Sequence, residues 1–267
     1  MKELCKELAA EQQSLDNLVM LLTEEQWRQP VPFYNWTIYD EVAHICYFDD
    51  RSLLALQDRT AFASDAGVLL KQLSLNGSWP SLVDGRMGRM TGKELLAHWR
   101  ATRTKMLDGL SEMDARERLP WYGPDMSVRS FITARVMETW AHGQDVFDAL
   151  RVRRVNGDRL RHIAHIGVTT LGWSFINRGL SQPESSPRVE LLSPSGSLWT
   201  WGEEAATDRV TGSAEDFCLV VTQRRHLCDT GLTVNGNLAE QWMAIAQCFA
   251  GPPADGPAPG ARVVSYA

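Results

Sequence analysis

The sequence predicts an α-helical N-terminal four-helix bundle over residues 1–152, followed by a small α+β C-terminal domain over residues 153–250. Three observations predict it. The first domain contains four long segments with apolar residues at helical spacing, separated by Pro, Gly or polar breaks. Near residue 152 the pattern changes to short alternating apolar runs joined by turn residues. Two of the helical segments also carry His and Glu residues whose spacing suits a shared metal ion.

The elements follow in order. Residues 2–25 place Leu4, Leu8, Leu15, Leu18, Val19 and Leu22 at helical intervals, and Pro30 and Pro32 then break the pattern. A second helix is expected over residues 37–58, with Thr37 and Asp40 forming an N-terminal cap. Residues 60–75 are weakly helical and are closed by Asn76-Gly77-Ser78-Trp79-Pro80. Thr91 and Glu94 form a capping box for a third helix reaching residue 113. After a loop over residues 119–126, Ser127 caps a fourth helix that runs to residue 150.

In the second domain, residues 156–177 read as a helix. Residues 188–192 and 197–201 alternate around Pro194-Ser195-Gly196, a hairpin signature. Residues 217–225 form an apolar run of ambiguous type, residues 231–236 a strand entering a turn, and residues 238–250 a final helix. The tail, residues 251–267, is rich in Pro and Gly and is expected to be mobile.

Composition narrows the function. Hydrophobic residues make up 44% and charged residues 22%, as in an ordinary globular protein. A net charge of −6 supplies no general attraction to phosphate backbones or anionic lipid, which argues against a nucleic-acid partner. The five cysteines are scattered without a C-x-x-C pair, so neither a disulfide framework nor a zinc ribbon is expected. The charged N-terminus is unlike a signal peptide, and no apolar run is long enough to span a membrane. The cytoplasm is the expected compartment, and the sequence leaves the oligomeric state open.

The most informative chemistry lies in the fourth helix. Glu138 and His142 are four residues apart, so they lie on adjacent turns of one face and can share a metal. His44, in the second helix, is the candidate third ligand. Two His and one carboxylate, with positions left open, is a donor set for a catalytic metal. The polar stripe that contains Arg135, Glu138, His142 and Asp145 fits either a solvated face or an internal polar cavity. The surrounding aromatics favour the cavity.

Three stretches then carry a resemblance: Trp36-Thr-Ile-Tyr-Asp-Glu-Val-Ala-His44, Met137-Glu138-Thr-Trp-Ala-His142-Gly-Gln-Asp145, and Val221-Thr-Gln-Arg-Arg225-His-Leu-Cys-Asp-Thr230. With them the chain resembles the DinB-like metal-binding superfamily, and within it the mycothiol-dependent maleylpyruvate isomerase group. The resemblance implies a DinB-like four-helix bundle followed by a sterol-carrier-protein-like domain. It implies that His44, Glu138 and His142 ligate a divalent metal, with Zn2+ the first choice and nickel, iron or manganese compatible with the same donors. It also implies a mycothiol-like thiol as cosubstrate, a small-molecule substrate, and a C-terminal arginine facing the active site, here Arg225 or Arg224.

A metal of this kind lowers the pKa of a bound thiol or water and polarises a carbonyl. In thiol-dependent isomerisation the sulfur adds to a conjugated double bond; rotation and elimination then give the isomer, whereas an S-transferase keeps the adduct. Two other readings remain: a thiol-independent metal-dependent hydrolase or lyase, and a non-catalytic metal-binding module. Among the secondary candidates, Arg135 either binds a substrate carboxylate or forms a structural ion pair, and the pair is the favoured reading. Asp145 either orients an imidazole or lies at the surface. Trp121 and Trp140 either pack the core or line a cofactor pocket beside the metal. Asp40 and Glu41 are explained by helix capping, and His98, His162, His165 and His226 have no partner at ligand spacing.

Overall fold

Leu8, Leu15 and Val19 are wholly or nearly wholly buried along one face of α1 (Lys2–Val19), the first helix of the N-terminal half. The computed structural model describes residues 1–74 and 79–266. It divides into two units, Met1–Val152 and Arg153–Ala267. In the first unit, α1 is followed by α2 (Glu24–Trp27), α3 (Ile38–Gln57), α4 (Arg59–Ser74), α5 (Trp79–Met87) and α6 (Gly92–Ser111). A ladder of β1 (Arg118–Leu119) and β2 (Met126–Ser127) then leads into α7 (Val128–Ala149). The long helices α1 and α3 each pack against both α6 and α7.

The capping residues set these boundaries. Thr37 and Asp40 bond reciprocally at the start of α3, as do Thr91 and Glu94 at α6, each satisfying two otherwise orphaned N–H groups. Ser127 accepts from the Ser130 N–H to start α7. Such caps are each worth about 1 kcal/mol.

Three expectations for this half need correction. The helix expected over residues 2–25 ends at Val19, because Thr23 and Gln26 form their own capping box and open α2. Trp79 and Pro80, expected to close a segment, begin α5 instead; proline is tolerated in a first turn, where its missing N–H has no helical partner to lose. The remainder of that expected break, Asn76 to Ser78, lies outside the described residues. The loop expected over residues 119–126 is flanked by the β1–β2 pairing, with Leu119 opposite Met126.

Two buried carboxylates bolt the helices together. Asp16 on α1 accepts from Arg100 Nε at 2.8 Å and Arg103 Nη2 at 2.6 Å, both on α6. Burial alone would raise the Asp16 pKa, but the two guanidinium groups outweigh it and hold the carboxyl below its ordinary value. Asp49 on α3 accepts from Gln12 Nε2 of α1 at 3.0 Å, Trp99 Nε1 of α6 at 2.8 Å and Arg135 Nε of α7 at 3.0 Å. One side chain thus ties α3 to α1, α6 and α7. Its complete burial pushes the Asp49 pKa up despite the adjacent Arg135.

The second unit contains α8 (Leu160–Thr169), α9 (Leu171–Ile176), β3 (Arg188–Leu192), β4 (Leu198–Trp201), β5 (Arg209–Ser213) and α10 (Ala214–Val221). A 3-10 turn at Leu227–Asp229, β6 (Thr233–Asn235) and α11 (Asn237–Ile245) complete it. The sheet order is β4-β3-β5-β6. β3 and β4 form the antiparallel hairpin, with Leu192 opposite Leu198, while β5 runs parallel to β3.

Here too the sequence pattern is refined. The helix expected over residues 156–177 breaks into α8 and α9 at Thr170, whose hydroxyl bonds back to the Ile166 carbonyl at 2.8 Å. The ambiguous run over residues 217–225 supplies most of helix α10. β5 gave no alternating signal, since Val210 is its one fully buried residue. The final helix stops at Ile245 rather than 250. Gly236, at φ 95, precedes it; a Cβ there would meet Asp208 Oδ1 at 2.4 Å, the atom that accepts from the Leu238 N–H. The tail expected to be mobile is hydrogen-bonded into its unit: Arg178 Nη1 reaches Asp255 Oδ1 at 2.7 Å, and the Gly260 N–H reaches Asp229 Oδ2 at 2.9 Å. Among the described residues no helix is long and apolar enough to cross a membrane.

Candidate metal centre

Helical geometry assembles the centre. Glu138 and His142 occupy successive turns of α7, and α3 packs beside it with His44 facing them. Glu138 Oε2 lies 3.3 Å from His142 Nε2 and 3.8 Å from His44 Nε2. The two imidazole rings are 4.3 Å apart at their centroids. One ligand atom from each of the three residues lies within 4.8 Å of the others. Two imidazole nitrogens and one carboxylate oxygen so gathered fit a single divalent cation, and nitrogen and oxygen donors suit zinc, nickel, iron and manganese alike.

Both histidines are buried, whereas 27% of the Glu138 side chain is accessible. The cluster is therefore reachable from solvent at the carboxylate. Burial would by itself raise the Glu138 pKa, but hydrogen bonds from His142 and His44, with their charge, pull it well below the usual glutamate value. Glu138 is thus an anion over the whole neutral range.

His142 is held from behind. Its Nδ1 lies 2.6 Å from Oε2 of Glu41, a residue one turn before His44 on α3 and wholly buried. With Nδ1–H donating to Glu41, Nε2, the nitrogen 3.3 Å from Glu138 Oε2, is the one on which a cation would replace the proton. This is the arrangement that orients metal-ligating histidines. Asp145, one turn after His142, is also buried, and its ligand atom lies within 4.8 Å of those of Glu41 and His142. It is an internal carboxylate and not a surface one.

Aromatic rings wall the pair. Trp36 stacks on His142 at 5.9 Å and 12°, and also leans on His44 at 5.2 Å. Phe33 meets His142 edge-on at 5.4 Å; Phe48 and Trp79 meet His44 at 4.8 and 5.5 Å. A tight loop delivers Phe33 and Trp36. The Val31 N–H bonds the Trp36 carbonyl at 2.7 Å, and between them Tyr34 and Asn35 take the left-handed conformation, with φ of 48 and 58. For non-glycine residues that conformation costs energy, which the surrounding packing must offset.

The other sequence candidates are placed as follows. Arg135 is buried and pairs with Asp49 at 2.9 Å, while its Nη2 also donates to the Ile45 carbonyl at 3.2 Å. Its acidic partner is therefore Asp49 and not Glu138. Trp140 lies two residues from both Glu138 and His142, about 200° away around the helix, and is completely buried. It packs within the helical core. Trp121 is partly buried, stacks on Phe62 at 5.6 Å and touches Phe48 at 6.0 Å, one ring removed from His44. Arg224 and Arg225 are buried residues of the second unit; Arg224 Nη1 donates to the Thr222 carbonyl at 2.8 Å and Arg225 Nη2 to the Tyr266 hydroxyl at 3.3 Å.

Sequence reasoning missed Glu41 and the Phe33–Trp36 wall. Asp40 does cap α3, but Glu41 does not share that role. Glu41 precedes His44 by three residues on the same helical face, and that spacing was the available signal.

Comparisons with known proteins place this geometry in a family. Residues 8–147, more than half of the chain, match the family model described as the mycothiol maleylpyruvate isomerase N-terminal domain. A second model, described as wyosine base formation, matches residues 185–233. Uncharacterized proteins of Mycobacterium tuberculosis strains CDC 1551 and H37Rv are each 43% identical over 253 residues, covering 94% of this chain and 96% of theirs. The crystal structure of the mycothiol-dependent maleylpyruvate isomerase aligns with a TM-score of 0.54 at 12% identity, covering 87% of this chain and 91% of that one. A His-to-Ala variant of a mycothiol-dependent maleylpyruvate isomerase aligns with a TM-score of 0.53 at 11% identity, covering 83% and 88%. At such identity these two alignments speak to fold alone, whereas the family model spans the helices that bear His44, Glu138 and His142: the chain belongs to the family of the mycothiol maleylpyruvate isomerase N-terminal domain.

Proposed function

We propose that this protein is a metal-dependent enzyme that uses a low-molecular-weight thiol, mycothiol or a close analogue, to isomerise or S-conjugate a small electrophilic substrate in the cytoplasm. One observation carries the reading. His44, Glu138 and His142 converge at ligand spacing while Glu138 keeps 27% of its side chain accessible. Three protein donors with one side reachable is the pattern of catalytic zinc sites, whereas structural sites use four. The family model and the solved relatives, named for a mycothiol-dependent isomerase, support the thiol. On this reading α1, α3, α6 and α7 are the family's metal-binding bundle, and the second unit is its sterol-carrier-like partner.

A divalent cation held by these three residues would lower the pKa of an incoming thiol and polarise a substrate carbonyl. The chain's own residues prepare for that chemistry. Glu41 fixes His142 in one tautomer and one orientation. Trp36 and Phe33 shield the His142 ring, lowering the local dielectric around the ligands. Glu138 is held anionic, ready to bind a cation without first losing a proton. We assign Trp121 to the wall that a thiol cosubstrate would meet, and Arg225 or Arg224 to binding a substrate anion. A rival reading activates water with the same ligands and needs no thiol. Another makes the metal purely structural; the accessibility of Glu138 speaks against it.

The test is an assay of cis–trans isomerisation and of thioether formation on conjugated electrophiles. It compares protein with and without mycothiol, and before and after chelation. The proposal predicts activity that needs both the thiol and the metal. Turnover of water-labile substrates without any thiol would replace it with the hydrolase reading.

A further inference from the structure

We propose that Cys46, Asp50 and His98 form a second cation site, specific for a thiol-seeking divalent ion such as Zn2+ and separate from the centre at His44. Cys46 and Asp50 lie four residues apart on α3, and His98 projects from α6. One ligand atom of each lies within 4.8 Å of the other two. His98 Nε2 is 2.9 Å from Asp50 Oδ2, while Thr102 Oγ1 donates to the other carboxylate oxygen, Asp50 Oδ1, at 2.7 Å. Thr102 thereby fixes the carboxylate with one oxygen turned to the imidazole. A hydroxyl or carboxylate that orients a ligand in this way is a usual companion of metal sites.

The two clusters do not share a face. His44 and Cys46 are two residues apart on one helix, which sets their side chains about 200° apart around its axis. His44 meets residues of α7; Cys46 and Asp50 meet a residue of α6. Thiolate, imidazole and carboxylate are together a zinc-type donor set, and a solvent molecule would complete four-coordination. The His98 side chain is 40% accessible and supplies the way in. Cys46 is fully buried. Magnesium and calcium prefer all-oxygen donors, so a sulfur, a nitrogen and an oxygen together favour a softer ion such as Zn2+. Filled, the site would cross-link α3 to α6. Without a cation, the same atoms form only the hydrogen-bonded chain His98–Asp50–Thr102.

Cobalt(II) titration of the metal-free full chain tests this, because thiolate coordination to cobalt adds an intense near-ultraviolet charge-transfer band that nitrogen and oxygen ligands do not. The proposal predicts a second equivalent of bound cobalt that carries this band. It predicts loss of the band in Cys46→Ser and in His98→Ala, and its retention in His142→Ala. His98 is partly exposed, so His98→Ala gives a folded protein, checked by circular dichroism, even if Cys46→Ser does not. No sulfur band in the wild type, or a band that survives His98→Ala, overturns the site. Because the band is read in His142→Ala as well, its presence or absence is independent of whether the first centre binds metal.

Discussion

Glu41 and His142, 101 residues apart in sequence, meet at 2.6 Å between a carboxylate oxygen and Nδ1. This contact fixes which nitrogen of His142 is free to bind a cation, and it makes Glu41 the positioning residue of the centre. Replacing it should therefore weaken the metal without touching a ligand. Glu41→Gln is expected to lower zinc affinity about 10–100-fold, the usual cost of losing such a partner. Competition with a chromophoric chelator measures it, and Asp40→Asn, which disturbs only the α3 cap, serves as the control. Equal affinity in Glu41→Gln and wild type would reduce Glu41 to a packing residue.

Arg135 should matter for stability and not for metal binding. It is buried against Asp49, which Gln12 and Trp99 also contact, so removing the guanidinium leaves a buried carboxylate without its counter-charge. Arg135→Met is expected to cost about 3–5 kcal/mol in urea unfolding. Adding Asp49→Leu to it should recover part of that loss, giving a double mutant less destabilised than the sum of the singles. A variant with unchanged stability and a raised KM would instead make Arg135 a substrate contact.

Asp16 gives the fold a defined acid sensitivity. Its folded pKa lies below the ordinary 3.8, through Arg100 and Arg103, so its contribution is complete above that value. As the pH falls through the depressed folded value the carboxylate protonates and the contribution is lost. Asp16→Asn is expected to destabilise the protein by about 2 kcal/mol at neutral pH, the scale of hydrogen bonds to a charged group. The gap between variant and wild type should then close on acidification below 3.8. Thermal melts at several pH values read this directly, and a gap that stays constant across them would deny the pairing.

The loop that carries Phe33 and Trp36 stores strain at Asn35, whose φ is 58. Asn35→Val should cost about 1–2 kcal/mol, since a β-branched residue disfavours that backbone. Asn35→Gly should be neutral or slightly stabilising. Parallel denaturation curves of the two variants settle it; equal losses in both would mean that the Asn35 side chain, and not its backbone, is what the loop needs.

Much of this was legible in the chain because the deciding interactions are local. Thr37 with Asp40, Thr91 with Glu94, and Ser127 announce three helix starts through caps only a few residues wide. Glu138 and His142 announce themselves by helical spacing, and His44 by the motif around it. What was not legible depends on contacts between distant segments. Glu41 and its neighbour Asp40, which does cap the helix, both lie one turn before His44, so spacing flags the pair, and only the contact with α7 shows which of them holds His142. β5 is a strand because β3 and β6 flank it, not because of its own alternation. His98 lacked a partner at ligand spacing because Asp50 and Cys46 reach it from another helix. Pro80 reads as a breaker unless the start of α5 is known.

Calorimetric titration of Zn2+ into metal-free protein, made in the His98→Ala background to silence the other cluster, tests the centre most directly. One equivalent should bind, and adding His44→Ala should abolish that heat while the circular dichroism stays native. An unchanged isotherm after His44→Ala would show that His44, Glu138 and His142 do not hold the ion, and the proposed enzyme would lose its metal.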